Sequence, residues 1–148
     1  MVLLAGGVLL AAVGCVTSGP PTRTDLIDSP GVSPTELPLS GGTVLFSAVI
    51  VEAYDRVPMS VTVSITYPDG DGEVLALRRT LPGLREVTGV YLFPGNTTGG
   101  AEAQVFHTKI TARTADGASV EEVATADVTV VAAAGAPPPP EFASEGAR

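Results

Sequence analysis

Few side chains in this sequence belong to the types that do chemistry. Its 148 residues hold one histidine, one cysteine, two methionines and no tryptophan. Acid–base and nucleophilic catalysis need a positioned base beside a nucleophile. His107, the sole imidazole, stands in phase with Lys109 and Arg113 on the polar side of an alternating segment, where a solvent-facing strand residue belongs. Zinc and copper sites need clustered His, Cys or Met, and no G-x-S-x-G elbow, Walker A loop or dinucleotide fingerprint occurs. Oxygen ligands gather in one stretch. Asp69-Gly70-Asp71-Gly72-Glu73 carries alternate carboxylates on a turn, which suits a hard cation such as calcium. The full calcium loop fails, because Val74 stands where an EF-hand needs glycine and Thr80 where it needs the bidentate glutamate. A tight hairpin with solvated charges accounts for the same residues, with calcium as the alternative. Asn96-Thr97-Thr98 has the spacing of an N-glycosylation acceptor but reads as a turn inside PGNTTGGAE, the longest irregular stretch. Long loops are where binding concentrates. The expectation is a protein that is not an enzyme and has no cofactor, with residues 68–73 and 94–102 as its candidate ligand or partner loops.

Composition narrows the partners. Eight basic against sixteen acidic residues give a net charge of -8, with no Lys/Arg cluster to neutralise phosphates, so nucleic acid is excluded. Sugar-binding sandwiches stack rings on exposed aromatics. The three tyrosines and four phenylalanines fall mostly on core-phased strand positions, which disfavours carbohydrate.

Cys15 is the remaining reactive group, and its surroundings decide its reading. Residues 2–13 (VLLAGGVLLAAV) are an uncharged run of signal-peptide length, well short of the roughly 20 residues needed to span a bilayer as a helix. Ala12-Val13-Gly14-Cys15 follows, and here the sequence resembles bacterial lipoprotein precursors, whose lipobox sets small residues before an invariant cysteine. No Lys or Arg precedes the apolar run, so the translation start is expected upstream. The resemblance implies a signal peptide at 1–14, diacylglycerol on the Cys15 thiol, cleavage before Cys15 and a further acyl chain such as palmitate on the new amino group. At about 0.8 kcal/mol per buried methylene, several chains hold a protein on a membrane. The implied location is the cell envelope, the outer membrane or cell surface rather than the inner membrane. The membrane would be met through the lipid on Cys15 and an envelope protein would be the partner.

The elements that would carry the loops are strands. Residues 15–34, rich in Pro, Ser, Thr and Gly, read as a flexible tether, and residues 133–148, with four consecutive prolines, as a disordered or polyproline II tail. Between them, Met59 to Tyr67 alternates Met59, Val61, Val63, Ile65 and Tyr67 with polar residues. Thr43 to Tyr54 is apolar on both faces. Val105 to Thr114 points Phe106, Ile110 and Ala112 inward, and Val120 to Val131 is expected to point Ala124, Ala126, Val128 and Val130 inward. Glu73 to Leu81, Arg85 to Phe93 and a leading segment at Thr35 to Ser40 bring the count to about seven, separated by Gly, Pro, Asn and Asp turns. Such spacing predicts an all-β fold, a single antiparallel immunoglobulin-like sandwich over 35–132. The region resembles Ig-like or fibronectin-type modules of bacterial surface proteins, without the antibody Cys-Trp-Cys set. If successive strands reverse direction, the turns at 55–58, 82–84 and 115–119 share one end with the tether, and 68–72 and 94–102 share the other with the C-terminal exit. The expected role is an adhesion, scaffold or accessory module acting through protein contacts.

Overall fold

Alternating side chains make this chain a sheet. In the strand β4 (Met59–Thr66), Val61, Val63 and Ile65 are buried and the polar residues between them are not. The computed structural model describes residues 25–133; Cys15, the signal segment and residues 134–148 lie outside the described residues. Nine strands form: β1 (Ile27–Ser33), β2 (Glu36–Leu37), β3 (Gly42–Ile50), β4, β5 (Gly72–Arg79), β6 (Glu86–Phe93), β7 (Gln104–Thr114), β8 (Val120–Ala124) and β9 (Val128–Val130). A single 3-10 turn, Glu52–Tyr54, is the one helical element among the described residues.

The strands make one curled sheet in the order β1-β3-β6-β5-β4-β7-β9-β2, with β8 also on β7. Expected as purely antiparallel, the sheet is mixed, because β2 runs parallel to β9. Curling is visible in the core. Phe93 of β6 meets Phe106 of β7 edge to face at 5.0 Å, although β5 and β4 separate their strands in the sheet, and Phe46 of β3 joins them at 6.4 Å from Phe93.

Three boundaries differ from the sequence reading, each for a local reason. The tether does not extend to residue 34, since β1 pairs antiparallel with β3 from Ile27 onward. Leu26 and Ile27 are buried, and both of their N–H groups donate to the Glu121 carboxylate at 2.6 and 3.0 Å. Pro30, Gly31 and a bulge between Asp28 and Gly31 erase the alternation that would have announced this edge strand. The segment Thr43 to Tyr54 stops being a strand at Ile50, and its outer face is partly exposed at Leu45.

Val120 to Val131 is two strands, not one. Ile110 faces Val123 in β8, but Phe106 faces Val128 in β9, one residue out of that register. A one-residue shift reverses which face a side chain takes. Val128 and Val130 are therefore buried as expected, whereas Ala124 and Ala126 are exposed. The shift is held by the buried Thr108 hydroxyl, bonded to Thr125 Oγ1 at 2.6 Å and to the Ala126 carbonyl at 2.9 Å.

The two ends of the sheet gather different loops. At the entrance end, Val51 N donates to the Leu26 carbonyl, Ile50 N to Arg85 and Ala115 N to Pro58, bringing the turns near 51–58, 82–85 and 115–119 to where the described chain begins. At the exit end, Asn96 N donates to the Leu39 carbonyl and Ala133 N to Gly100, beside the 67–72 turn.

Candidate functional site

The loops singled out in the sequence meet at the exit end around a pocket of about 330 Å3, lined by Tyr67, Pro68, Asp69, Pro94, Thr97, Gln104 and Phe106. That volume falls at the lower end of ligand pockets, roughly 300–1,000 Å3. Its floor is strand-borne: Tyr67, just past β4, meets Phe106 of β7 edge to face at 5.4 Å. Its walls come from turns, each held by its own side chains. Asp69 Oδ1 accepts from Asp71 N at 3.0 Å, an Asx turn. Asn96 does more: Nδ2 donates to the carbonyls of Glu102 (2.6 Å) and Val131 (3.1 Å), while Oδ1 accepts from Thr98 N and Oγ1. Asn96 and Thr98 are thus spent on building the loop. Thr97 N donates to Gln104 Oε1 and Thr97 Oγ1 accepts from Gln104 Nε2, which fixes two polar groups at the rim.

The acidic stretch separates. Asp69 reaches the pocket, but Glu73, in the inward phase of β5, accepts a hydrogen bond from the Tyr91 hydroxyl at 2.8 Å. Among the described residues no group of three or more His, Cys, Asp or Glu side chains is placed to hold a metal ion. Tyr91 in turn is hydrogen-bonded to the Tyr67 hydroxyl, so the proton order runs Tyr67 to Tyr91 to Glu73. Burial first, then the bonds to Tyr67 and Glu73, push the Tyr91 hydroxyl far above its ordinary value. For Tyr67 the bond to Tyr91 pulls downward, but burial and the Glu73 and Asp69 charges outweigh it and the group is raised. The relay also joins two strands that scarcely pair: β5 and β6 share only Arg78↔Thr88 and Arg79↔Val87 in register. Sequence reasoning missed it. The signal was Glu73 in the same phase as Leu75 and Leu77.

Other features lie outside this pocket. At the entrance end a cleft of about 540 Å3 has Ile50, Val61, Leu77 and Val87 at its base. There Arg79 donates to Asp55 Oδ1 at 2.7 Å and to the carbonyls of Asp55 and Leu84. On the outer face of β3 and β6, Leu45 pairs across the ladder with Val90, and Leu92 lies next along β6; they are 44%, 57% and 71% exposed. Val74 of β5, 71% exposed, faces outward as well. His107 is exposed, as its phase predicted, and its Nδ1 lies 3.0 Å from Asp127 Oδ1. No known protein-family model matches the chain, and no curated protein matches it in sequence.

Proposed function

We propose that this protein is a non-enzymatic cell-envelope lipoprotein, anchored by acyl chains on Cys15, whose described region is an immunoglobulin-like sandwich acting through protein contacts. The observation that carries the contact reading is the uncharged strip of Leu45, Val90 and Leu92 on the outer face of β3 and β6. Side chains this apolar gain about 25 cal/mol per Å2 when covered, so an exposed contiguous group of them favours a partner. The sandwich reading is supported by strand order. β1, β3, β6 and β5 follow one another as A, B, E and D do in Ig domains, and β4, β7 and β9 as C, F and G, with β5 touching both groups.

A second reading has its own support. The 330 Å3 pocket lies between the two loops expected to bind, which favours a ligand-binding domain using residues 68–73 and 94–102. Two measurements test the first reading. Intact mass of the membrane-extracted protein should match cleavage before Cys15 plus acyl chains, and Cys15→Ser should lose both; an unacylated wild type overturns the anchor. A photo-crosslinking residue at Leu92 should form an envelope adduct that the same residue at Thr62 does not. No adduct at Leu92 removes the contact face.

A further inference from the structure

Several features of the exit end converge on one ligand chemistry. The pocket's accessible aromatic surface is the half-buried Tyr67, seated edge to face on the buried Phe106, and its walls are Pro68 and Pro94. Its rim carries donors: the Thr97 hydroxyl accepts from Gln104 Nε2 and keeps its own hydrogen to give, and Nε2 has a second one. An extended proline run needs such a trough. It stacks on aromatic faces, leaves its carbonyls unpaired and has no N–H of its own to satisfy.

The chain carries such a run close by. Val130, the last residue of β9, lies directly across the ladder from the rim residue Gln104. Ala133 N is bonded to the Gly100 carbonyl, in the loop that also holds Thr97, and Pro137 to Pro140 follow only four residues later. We propose that this pocket is the docking site of the Pro137–Pro140 run of the same chain. Four residues span at most about 14 Å, and neighbouring strands lie about 4.8 Å apart, so the run is within reach of the rim. A connection this short gives a local concentration in the millimolar range, which leaves a site with a dissociation constant on the order of 0.1 mM about nine-tenths filled. The inference rests on the pocket as a ligand site and is independent of the lipid anchor.

The test compares amide spectra of the isotopically labelled full chain, in detergent micelles, with those of a variant carrying serine for all four prolines. The expected shifts fall on Tyr67, Asp69, Thr97, Gln104 and Phe106, with Leu77 and Val87 at the far cleft unmoved. Unlabelled peptide APPPPEF added to the serine variant should return those signals toward wild type. Spectra that agree at the pocket overturn the proposal. So do wild-type shifts that change on dilution, which would put a second copy's segment in the site, and a wild-type pocket that takes the peptide as readily as the variant does.

Discussion

Replacing Tyr91 by Phe tests whether the Tyr67–Tyr91–Glu73 relay clasps β5 to β6. The substitution keeps the ring that packs on Phe93 at 4.8 Å and removes only the hydroxyl, which bonds Tyr67 and donates to Glu73. A hydrogen bond to a charged group contributes about 1.5–3 kcal/mol. Glu73 is exposed and water replaces part of the loss, so the expected cost is about 1 kcal/mol, or a drop in Tm of about 4–8 °C for a domain near this size. Tyr91→Phe and Glu73→Gln should couple by about 0.5 kcal/mol or more in a double-mutant cycle. The pH dependence is the sharper readout. Because the folded state holds the Tyr91 proton more tightly than the unfolded chain does, this contribution is complete below about pH 10, the unfolded value, and is lost as pH rises through it toward the folded one. Wild-type Tm should therefore fall on going from pH 9 to 11, and Tyr91→Phe should show a shallower fall over that window. A Tyr91→Phe protein with unchanged Tm at pH 7 and the same alkaline slope would refute the clasp.

Other substitutions probe the loops and the opposite end. Gly41→Ala should cost about 3 kcal/mol in urea unfolding, because its φ of 77° is strained for alanine and the new Cβ collides with the Phe93 and Pro94 carbonyls. Gly70→Ala, at φ 92° but in open space, should cost only about 1 kcal/mol; equal costs would deny the Gly41 collision. Arg79→Met removes three bonds tying β5 to Asp55 and Leu84, but with both side chains about a third exposed the expected loss is about 1 kcal/mol. Hydrogen exchange at Tyr54, Asp55 and Val57 should speed up in that variant, and unchanged exchange would show that the turn stands without Arg79. Millimolar calcium should leave Tm unmoved, since Glu73 is engaged by Tyr91. A rise abolished by Asp69→Asn with Asp71→Asn would restore the calcium reading.

Where side chains alternate without interruption, sequence and structure agree residue by residue. Phe106, Ile110 and Ala112 are buried and His107 and Arg113 exposed, because an eleven-residue strand has no freedom to change phase without a bulge. Phase was illegible where a bulge resets it. Nothing in Ala124-Thr125-Ala126 announces that Thr108, distant in sequence, captures Thr125 and the Ala126 carbonyl. β1 was hidden for a related reason: its pairing relies on backbone groups and on Glu121, while Pro30 and Gly31 carry no pattern of their own. The candidate loops could be named from turn chemistry alone, but not the pocket between them. Its floor is Tyr67 against Phe106, set by the β4–β7 register that places Thr66 opposite His107.

Charge divides the described domain along the same axis as its loops. Of the eight basic residues, Arg23 and Arg148 lie outside the described region. Arg56, Arg78, Arg79, Arg85 and Arg113 all stand toward the entrance end, and Lys109, mid-strand, is paired with Glu122. The exit end, with Asp69, Asp71, Glu73 and Glu102, has no Lys or Arg among the described residues. Charges of one sign around a pocket raise the encounter rate of partners of the other sign and slow their like, an effect that added salt confines to within a Debye length, about 10 Å at 0.1 M. The proline run is itself uncharged and is followed by Glu141, so the acidic rim offers it no attraction and its grip rests on Tyr67 and the Thr97–Gln104 rim. Salt dependence therefore separates the two ways of filling the exit end: docking of the proline run, with Glu141 beside it, should hold or strengthen slightly as ionic strength rises, and capture of a basic partner should weaken.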